Sequence, residues 1–433
     1  MKKYSHDFTR SIITVAVLSA VSLPSLGGGL YIGEFGHPNQ GASGAGAQAL
    51  SEDASAAWVN PAGISFLDEK KTMVTGIIID SEIEFQQKMP DSLQPSAVAD
   101  AEGGRPASDG GDAGSTALGA GFFHAHPVND KWGWGISLAS ISAAIMEYED
   151  PQDFSGRYWT TEVTLLTVTL MPALSYRVNE KLTLGLGLPI LYGGLEMDVA
   201  IPGAAAGGAE GLAEIEDGDD IVVGVTVSAM WQASDSLRLG LLYLSKTELD
   251  FDADLSLTLP PGALPDSVTT NVEFTFPQAL RFSATQEINE SMTLLASVAW
   301  EDWSVFDEIA IGTSMGSGAL ERNWDDTWRL ALGLRWQPDA RWTWRAGVAY
   351  DSDPTRPRDR TADMPIDEQW RYSFGTTYER ANGHKVGLVL TYADYGSGKI
   401  DNGGSRPVSG APWTVTGDYS SNRILFLGLN YGW

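Results

Sequence analysis

Cysteine is absent from this 433-residue chain, so it has neither a disulfide framework nor a thiolate-held metal. Cations are scarce as well: 28 Lys and Arg stand against 56 Asp and Glu, a formal net charge of -28. Displacing counterions from a phosphate backbone needs clustered Lys and Arg, so nucleic acid is excluded as a partner. Beyond residue 23 the chain lacks any run of the roughly 20 apolar residues that a membrane helix requires, because Gly, Pro, Ser or Thr breaks every uncharged stretch. Linkers, composition breaks and helical repeats are also missing, and the chain reads as one large unit.

What is present begins with a targeting segment. Lys2, Lys3 and Arg10 precede an apolar stretch over 12–23, followed by Pro24, Ser25, Gly27 and Gly28. This charged, apolar, small-residue order predicts a secretory signal over 1–27, with cleavage after Gly27 and, as second choice, after Ser22.

A period of two dominates the rest. In 327–337, Trp328, Leu330, Leu332, Leu334 and Trp336 alternate with Arg329, Ala331, Gly333 and Arg335. Trp342, Trp344, Ala346, Val348 and Tyr350 repeat the pattern, and so do Trp370, Tyr372, Phe374 and Tyr378. Strands of about 10 residues with aromatics at the ends of the apolar face fit a membrane barrel, whose Trp and Tyr sit at the two lipid interfaces. A soluble β-sandwich explains neither the aromatic ends nor the Gly and Arg on the opposite face.

Connection lengths point the same way. Six short turns, at 127–130, 178–181, 233–236, 288–291, 337–340 and 380–383, are rich in turn formers. Seven longer stretches lie between them, at 87–114, 149–161, 200–219, 251–272, 305–325, 352–369 and 396–419. Short turns alternating with long loops predict an all-β fold, a fourteen-stranded antiparallel transmembrane β-barrel over 68–433 with both ends in the periplasm. The last strand, 422–433, carries Leu425, Leu427, Leu429, Tyr431 and Trp433 on one face. Its terminal aromatic resembles the signal read by the barrel assembly machinery. Residues 28–67 are small and irregular, and predict a hatch folded into the lumen, where a chain of small residues packs its backbone against the wall.

The series Gly28-Gly29-Leu30-Tyr31-Ile32-Gly33-Glu34-Phe35, Asp53-Ala54-Ser55 and Asn60-Pro61-Ala62 resembles the mature N-terminus of the FadL family of outer-membrane long-chain fatty acid transporters. Further matches follow in family order: Gly156-Arg157-Tyr158, Pro172 with Ser175-Tyr176-Arg177-Val178, Trp300 with Trp303-Ser304, Arg345 to Asp351 with Pro354, and Met364-Pro365 with Trp370. The resemblance implies a lumenal hatch, passive movement of hydrophobic molecules across the Gram-negative outer membrane, and lateral release where the third strand kinks. It also implies a hatch gate at Asn60, Pro61 and Ala62. Relatives commonly carry a Gly at the kink, whereas this chain reads Ser140-Ile141-Ser142-Ala143-Ala144-Ile145, so Ser142 and Ala143 are the gating candidates there.

An alkyl chain gains about 0.8 kcal/mol per buried methylene, so its route needs apolar surfaces at each stage. Leu255, Leu257 and Leu259, with Leu264 and Val268, offer an outer groove in 251–272, or else belong to a strand extension above the membrane. Arg281, Arg329, Arg335, Arg345 and Arg371 fall on inward faces, where a guanidinium matches a carboxylate bidentately; the resemblance adds Arg157. Arg345 and Arg371, on adjacent strands, are the leading head-group pair, and pairing with lumen Glu301, Asp351 and Glu379 is the alternative role for such arginines. His124 and His126 share a face near a periplasmic turn and read as interface or hatch contacts. No cofactor is expected, and no metal, since no acidic stretch has the spacing of an EF-hand loop.

The expected function is passive uptake of a hydrophobic small molecule, foremost a long-chain fatty acid. Outer-membrane lipid and lipopolysaccharide would surround a monomer. An aromatic or alkane hydrocarbon channel is the alternative, and an outer-membrane lipase or adhesin the alternative from another class.

Overall fold

The computed structural model describes residues 31, 33–88, 108–201, 210–258, 267–313, 316–401 and 415–433. The expected signal segment 1–27 lies outside these residues, as does Leu259. Fourteen antiparallel strands close into a barrel. The first is Lys71–Gln87 and the second Thr116–Pro127; the third runs in two pieces, Trp132–Ala139 and Ala143–Glu147; the fourth is Glu162–Arg177. Each of the next four is interrupted once: Leu182–Gly187 with Ile190–Ile201, Gly211–Val223 with Thr226–Gln232, Leu237–Leu244 with Thr247–Thr258, and Ser267–Phe276 with Ala279–Asn289. The ninth joins Met292–Glu301 to Glu308–Thr313, and the tenth Gly316–Glu321 to Thr327–Trp336. Trp342–Asp351, Gln369–Glu379, Lys385–Asp394 and Thr416–Gly432 complete the wall, and the last pairs with the first from Met73↔Gly432 to Gln87↔Gly417.

The alternation in the sequence becomes the two faces of this wall. Trp328, Leu330, Leu332 and Trp336 are exposed on the lipid side, while Ala331 and Gly333 turn inward. Aromatics pair across strands near both ends of the apolar belt, Trp342 opposite Tyr378 at one end and Tyr350 opposite Trp370 at the other. The six turns fall where expected, and three use one device. Asn129, Asn179 and Asp339 each accept two backbone N–H bonds through the side-chain oxygen, at 2.8 to 3.0 Å, from the residues two and three positions on.

On the other side of the membrane three expected loops contain strand. Residues 211–223, 247–258, 308–313 and 316–321 continue the sheet beyond the apolar belt. In Thr247–Thr258, Asp250, Asp252 and Asp254 face water while Leu249, Phe251 and Ala253 stay buried, so the period of two carries on with charge in place of lipid-facing carbon. The last strand is likewise longer than 422–433: Gly417 and Tyr419 turn inward ahead of a bulge at Ser420, across which the alternation changes phase before it resumes at Asn422.

Inside the barrel, residues 33–67 form short helices: 3-10 turns at Pro38–Ala42, Ala47–Ala49 and Pro61–Phe66 and one α-turn at Ala56–Val59. This segment touches nearly the whole circumference. A Cβ on Gly240 would lie 1.9 Å from the Gln48 carbonyl oxygen, and one on Gly347 would lie 2.2 Å from that of Ala42. Only glycine allows the hatch backbone to lie this close to the wall. A row of inward serines does the rest. Ser175, Ser228, Ser283 and Ser297 accept from the backbone N–H groups of Ser65, Ala62, Gln48 and Gly46 at 2.9 to 3.2 Å.

Candidate functional site

Behind the breaks in the fifth and seventh strands the lumen holds a cavity of about 150 Å³. One wall is apolar, with Ile141, Met171, Leu191, Leu242 and Leu244, closed by Trp58 and Val59 of the hatch. The other is charged, with Arg281, Glu301, Arg329 and Asp351. Tyr31, Phe35 and His37 cap it from the hatch. The arrangement suits a molecule with a long apolar body and one polar end.

The arginines that the sequence singles out are not equivalent. Arg281 and Arg329 line the cavity, and each already holds a carboxylate: Arg281 reaches Glu301 at 2.8 Å and Arg329 reaches Asp351 at 2.9 Å. Arg371 is fully buried between Asp351, Glu34 and the Gln369 amide oxygen, outside the cavity lining. Arg345 and Arg335 point toward the periplasmic end, where both bind Glu52 of the hatch, at 2.6 and 2.7 Å, beside a second cavity of about 350 Å³. Burial pushes the Glu52 carboxyl up, and these two guanidiniums more than offset it, holding its pKa below the usual range. Arg157 sits in the loop between the third and fourth strands, buried, donating to the Phe154 carbonyl at 3.0 Å and to Glu210 at 2.8 Å. The structure therefore separates Arg345 from Arg371 and brings Arg281 and Arg329 together.

The third strand breaks at residues 140–142. Hydroxyls, in place of a glycine, hold the bend. The Ser142 N–H donates to Thr167 Oγ1 at 2.9 Å, Thr167 Oγ1 donates to the Ser142 carbonyl at 2.6 Å, and Ser140 Oγ donates to the same carbonyl at 2.8 Å. Ala143 starts the outer piece, opposite Leu166 of the fourth strand. The bend opens the sheet on its other side. Second and third strands pair only from Pro127↔Gly133 to Phe122↔Leu138, and above that point 116–121 pair with the first strand alone. The two edges meet again where the Glu147 N–H donates to the Ala113 carbonyl at 3.3 Å. Among the described residues no ladder bond crosses the interval, which lies beside the lipid-facing Leu118 and Phe122. Ile141 belongs both to this bend and to the cavity lining.

Asn60 caps the turn Pro61–Phe66 and is fully buried. Its Oδ1 accepts from the Ala62 N–H at 3.0 Å, and its Nδ2 donates to the Gln48 carbonyl at 2.6 Å. The Ala62 carbonyl accepts from Ser175 and Thr183, so Asn60 and Ala62, on either side of Pro61, are bonded to the fourth to sixth strands, while the preceding Trp58 and Val59 share the cavity with Ile141. Leu255 and Leu257 are half-buried on a strand, opposite Ile215 and Ala213 of its neighbour. His124, His384 and His37 bond to Thr72, Tyr431 and the Gly33 carbonyl, and among the described residues none of the three has a serine partner. The inward serines were missed in the sequence, although each left a signal: Leu-Ser-Tyr at 174–176, Val-Ser-Ala at 227–229, Phe-Ser-Ala at 282–284 and Ala-Ser-Val at 296–298 all put one hydroxyl between apolar neighbours.

Residues 18–431 match the family model described as outer membrane protein transport protein (OMPP1/FadL/TodX). The chain belongs to this family. It is 25% identical over 424 residues to a long-chain fatty acid transport protein of Salmonella typhi, covering 92% of this chain and 94% of that one. It is also 25% identical over 420 residues to outer membrane protein P1 of Haemophilus influenzae, covering 89% and 90%. Among solved folds, a FadL homologue of Pseudomonas aeruginosa superimposes with a TM-score of 0.79 at 20% identity, covering 93% of this chain and 98% of the other. The toluene transporter TodX of P. putida gives 0.69 at 16%, covering 92% and 98%. The FadL-family barrel is thus an outer-membrane protein that transports hydrophobic compounds.

Proposed function

We propose that this barrel carries long-chain fatty acids passively from the outer loops, through the lumen cavity, and sideways into the membrane between the second and third strands. The observation that carries the reading is the sharing of Ile141 between an apolar cavity and an interrupted ladder. An amphiphile moving along this path keeps its tail against carbon throughout, and sixteen carbons at about 0.8 kcal/mol each supply roughly 12 kcal/mol before ordering costs. Leu255 and Leu257 supply apolar surface above the membrane for first contact. Asn60, Pro61 and Ala62 hold the hatch against the wall while Trp58 and Val59 floor the cavity. Arg281 and Arg329 mark its polar end. Residues 1–27 direct export and are removed, and the chain works as a monomer without a cofactor.

A second reading has its own support. Both cavity arginines are neutralised, and about 150 Å³ is the size of an engineered cavity that takes benzene. A hydrocarbon channel needs nothing more.

The test exploits the missing cysteines. Were the ladder continued beyond Phe122↔Leu138, Ala120 would face Ser140. Ala120→Cys with Ser140→Cys, bridged by a reducible thiol linker in proteoliposomes, should lower oleate entry at least tenfold, with recovery on reduction. Unchanged entry in the bridged barrel defeats the lateral route. Octadecane run beside oleate separates the two cargo classes.

A further inference from the structure

Two polar atoms in the cavity wall have no partner. His37 is buried in the hatch, and its Nε2 lies 3.3 Å from the Gly33 carbonyl. A carbonyl oxygen only accepts, so Nε2 carries the proton and Nδ1 keeps a free lone pair. That Nδ1 is buried without a hydrogen bond, and so is the hydroxyl oxygen of Thr169, an inward residue of the fourth strand. Both side chains line the cavity. Buried polar atoms are almost always satisfied, so two orphans around one cavity call for an explanation.

The charges around them are already balanced. Arg281 holds Glu301, Arg329 holds Asp351, and the groups acting on His37 from the neighbouring elements are Asp53, Glu34 and Arg345. Burial holds the His37 pKa below its ordinary value in spite of those two acids, which keeps the ring an acceptor. A carboxylate entering here would meet no uncommitted cation in the cavity lining and would remain an unpaired buried anion. A neutral group with a proton to donate would find an acceptor in His37 Nδ1 and, for its own oxygen, a donor in the Thr169 hydroxyl.

We propose that the cavity receives the polar end of its cargo, a protonated carboxyl or a hydroxyl, as a hydrogen-bond donor to His37 Nδ1, with the Thr169 hydroxyl donating to the oxygen of the same group. This rests on the transport reading above and specifies its cargo. A fatty carboxylate takes one proton from the outer water and enters as the neutral acid, so the charge inside the cavity does not change. With an ordinary carboxyl pKa near 4.3, holding the protonated form at pH 7 costs about 500-fold in population, less than leaving a bare anion in the lumen. Fatty alcohols fit the same two groups without that cost. Methyl esters, with no proton to give, can accept from Thr169 but leave His37 Nδ1 unmet.

Equilibrium binding of tritiated oleyl alcohol and methyl oleate to the barrel in nanodiscs, against empty nanodiscs, tests this. The wild type should favour the alcohol by about five- to tenfold, the worth of one neutral hydrogen bond or slightly more. Thr169→Val removes a hydroxyl that bonds nothing in the empty cavity, so the fold should survive while both cargoes bind several-fold more weakly. His37→Phe should cut the preference for the alcohol several-fold, and His37→Gln, which keeps an acceptor, should restore part of it. An equal affinity of the wild type for both cargoes overturns the inference alone, as does a preference that His37→Phe retains. Failure of both cargoes to bind wild type above the nanodisc background overturns the transport reading and this inference with it.

Discussion

The barrel wall is built in two ways. Between the eleventh and twelfth strands the ladder runs unbroken from Trp342↔Tyr378 to Asp351↔Gln369, and its inward face carries Arg345, Asp351 and Arg371 in ion pairs. Between the second and third strands the ladder stops after Phe122↔Leu138, and the bend beyond it is held by Ser140, Ser142 and Thr167. Neutral hydroxyls exchange partners at little cost, whereas a buried charge cannot be left alone. The sheet therefore opens where no charge depends on it, and stays closed where separating the strands would strand a guanidinium.

The largest break in this contrast should come from Arg371→Leu. It leaves Glu34 and part of Asp351 uncompensated in a fully buried place, at a cost of about 3–5 kcal/mol. Denaturant titration of the barrel in micelles, followed by the loss of heat-modifiable migration, would register it, and an unchanged midpoint would mean that the charges are solvated. Thr167→Val should be milder, about 1–3 kcal/mol, because it strips the buried Ser142 N–H of its acceptor. Hydrogen exchange should quicken over 140–147 and stay the same over 342–351; parallel changes in both would erase the distinction between the two walls. The smallest effect belongs outside the membrane. Asp198, amid Glu214, Glu216, Glu196 and Glu147, has its pKa raised to about 6, by burial first and by these acids second. An acid whose folded pKa is raised favours the folded form while protonated, so local stability is greatest at low pH and is lost as pH rises through about 6. Protection over 190–201, measured relative to the intrinsic exchange rate at each pH, should therefore fall between about pH 4 and 6, and Asp198→Asn should remove that fall.

Much of this architecture was legible in the sequence, and for a physical reason. Lipid on one side and a packed lumen on the other force strict alternation, so Trp328 to Trp336 could be assigned to faces residue by residue. Turn chemistry at Asn129, Asn179 and Asp339 is local, and local chemistry is written locally. The outer loops misled because Asp250, Asp252 and Asp254 look like loop composition, while water above the membrane lets a strand carry such charges freely. Arg345 and Arg371 shared a predicted face, but a face does not tell the level along the barrel axis or which acid the hatch brings to it. Glu52 and Glu34 arrive from 293 and 337 residues away in sequence, and no period connects them to their partners.

The seam between the first and last strands has a temporal meaning. Met73 meets Gly432 and Gln87 meets Gly417 along one of the longest ladders in the molecule, with a single register shift between Glu84 and Phe85. Every other hairpin in the wall can form from neighbours as the chain emerges, but this one waits for both ends. Its closure entropy is spent once and grows only slowly with the length enclosed, and a long ladder is gained in the same event. The barrel is thus latched by its final act, and the two ends of the chain, the last to meet, must also part before the wall can come undone at that seam.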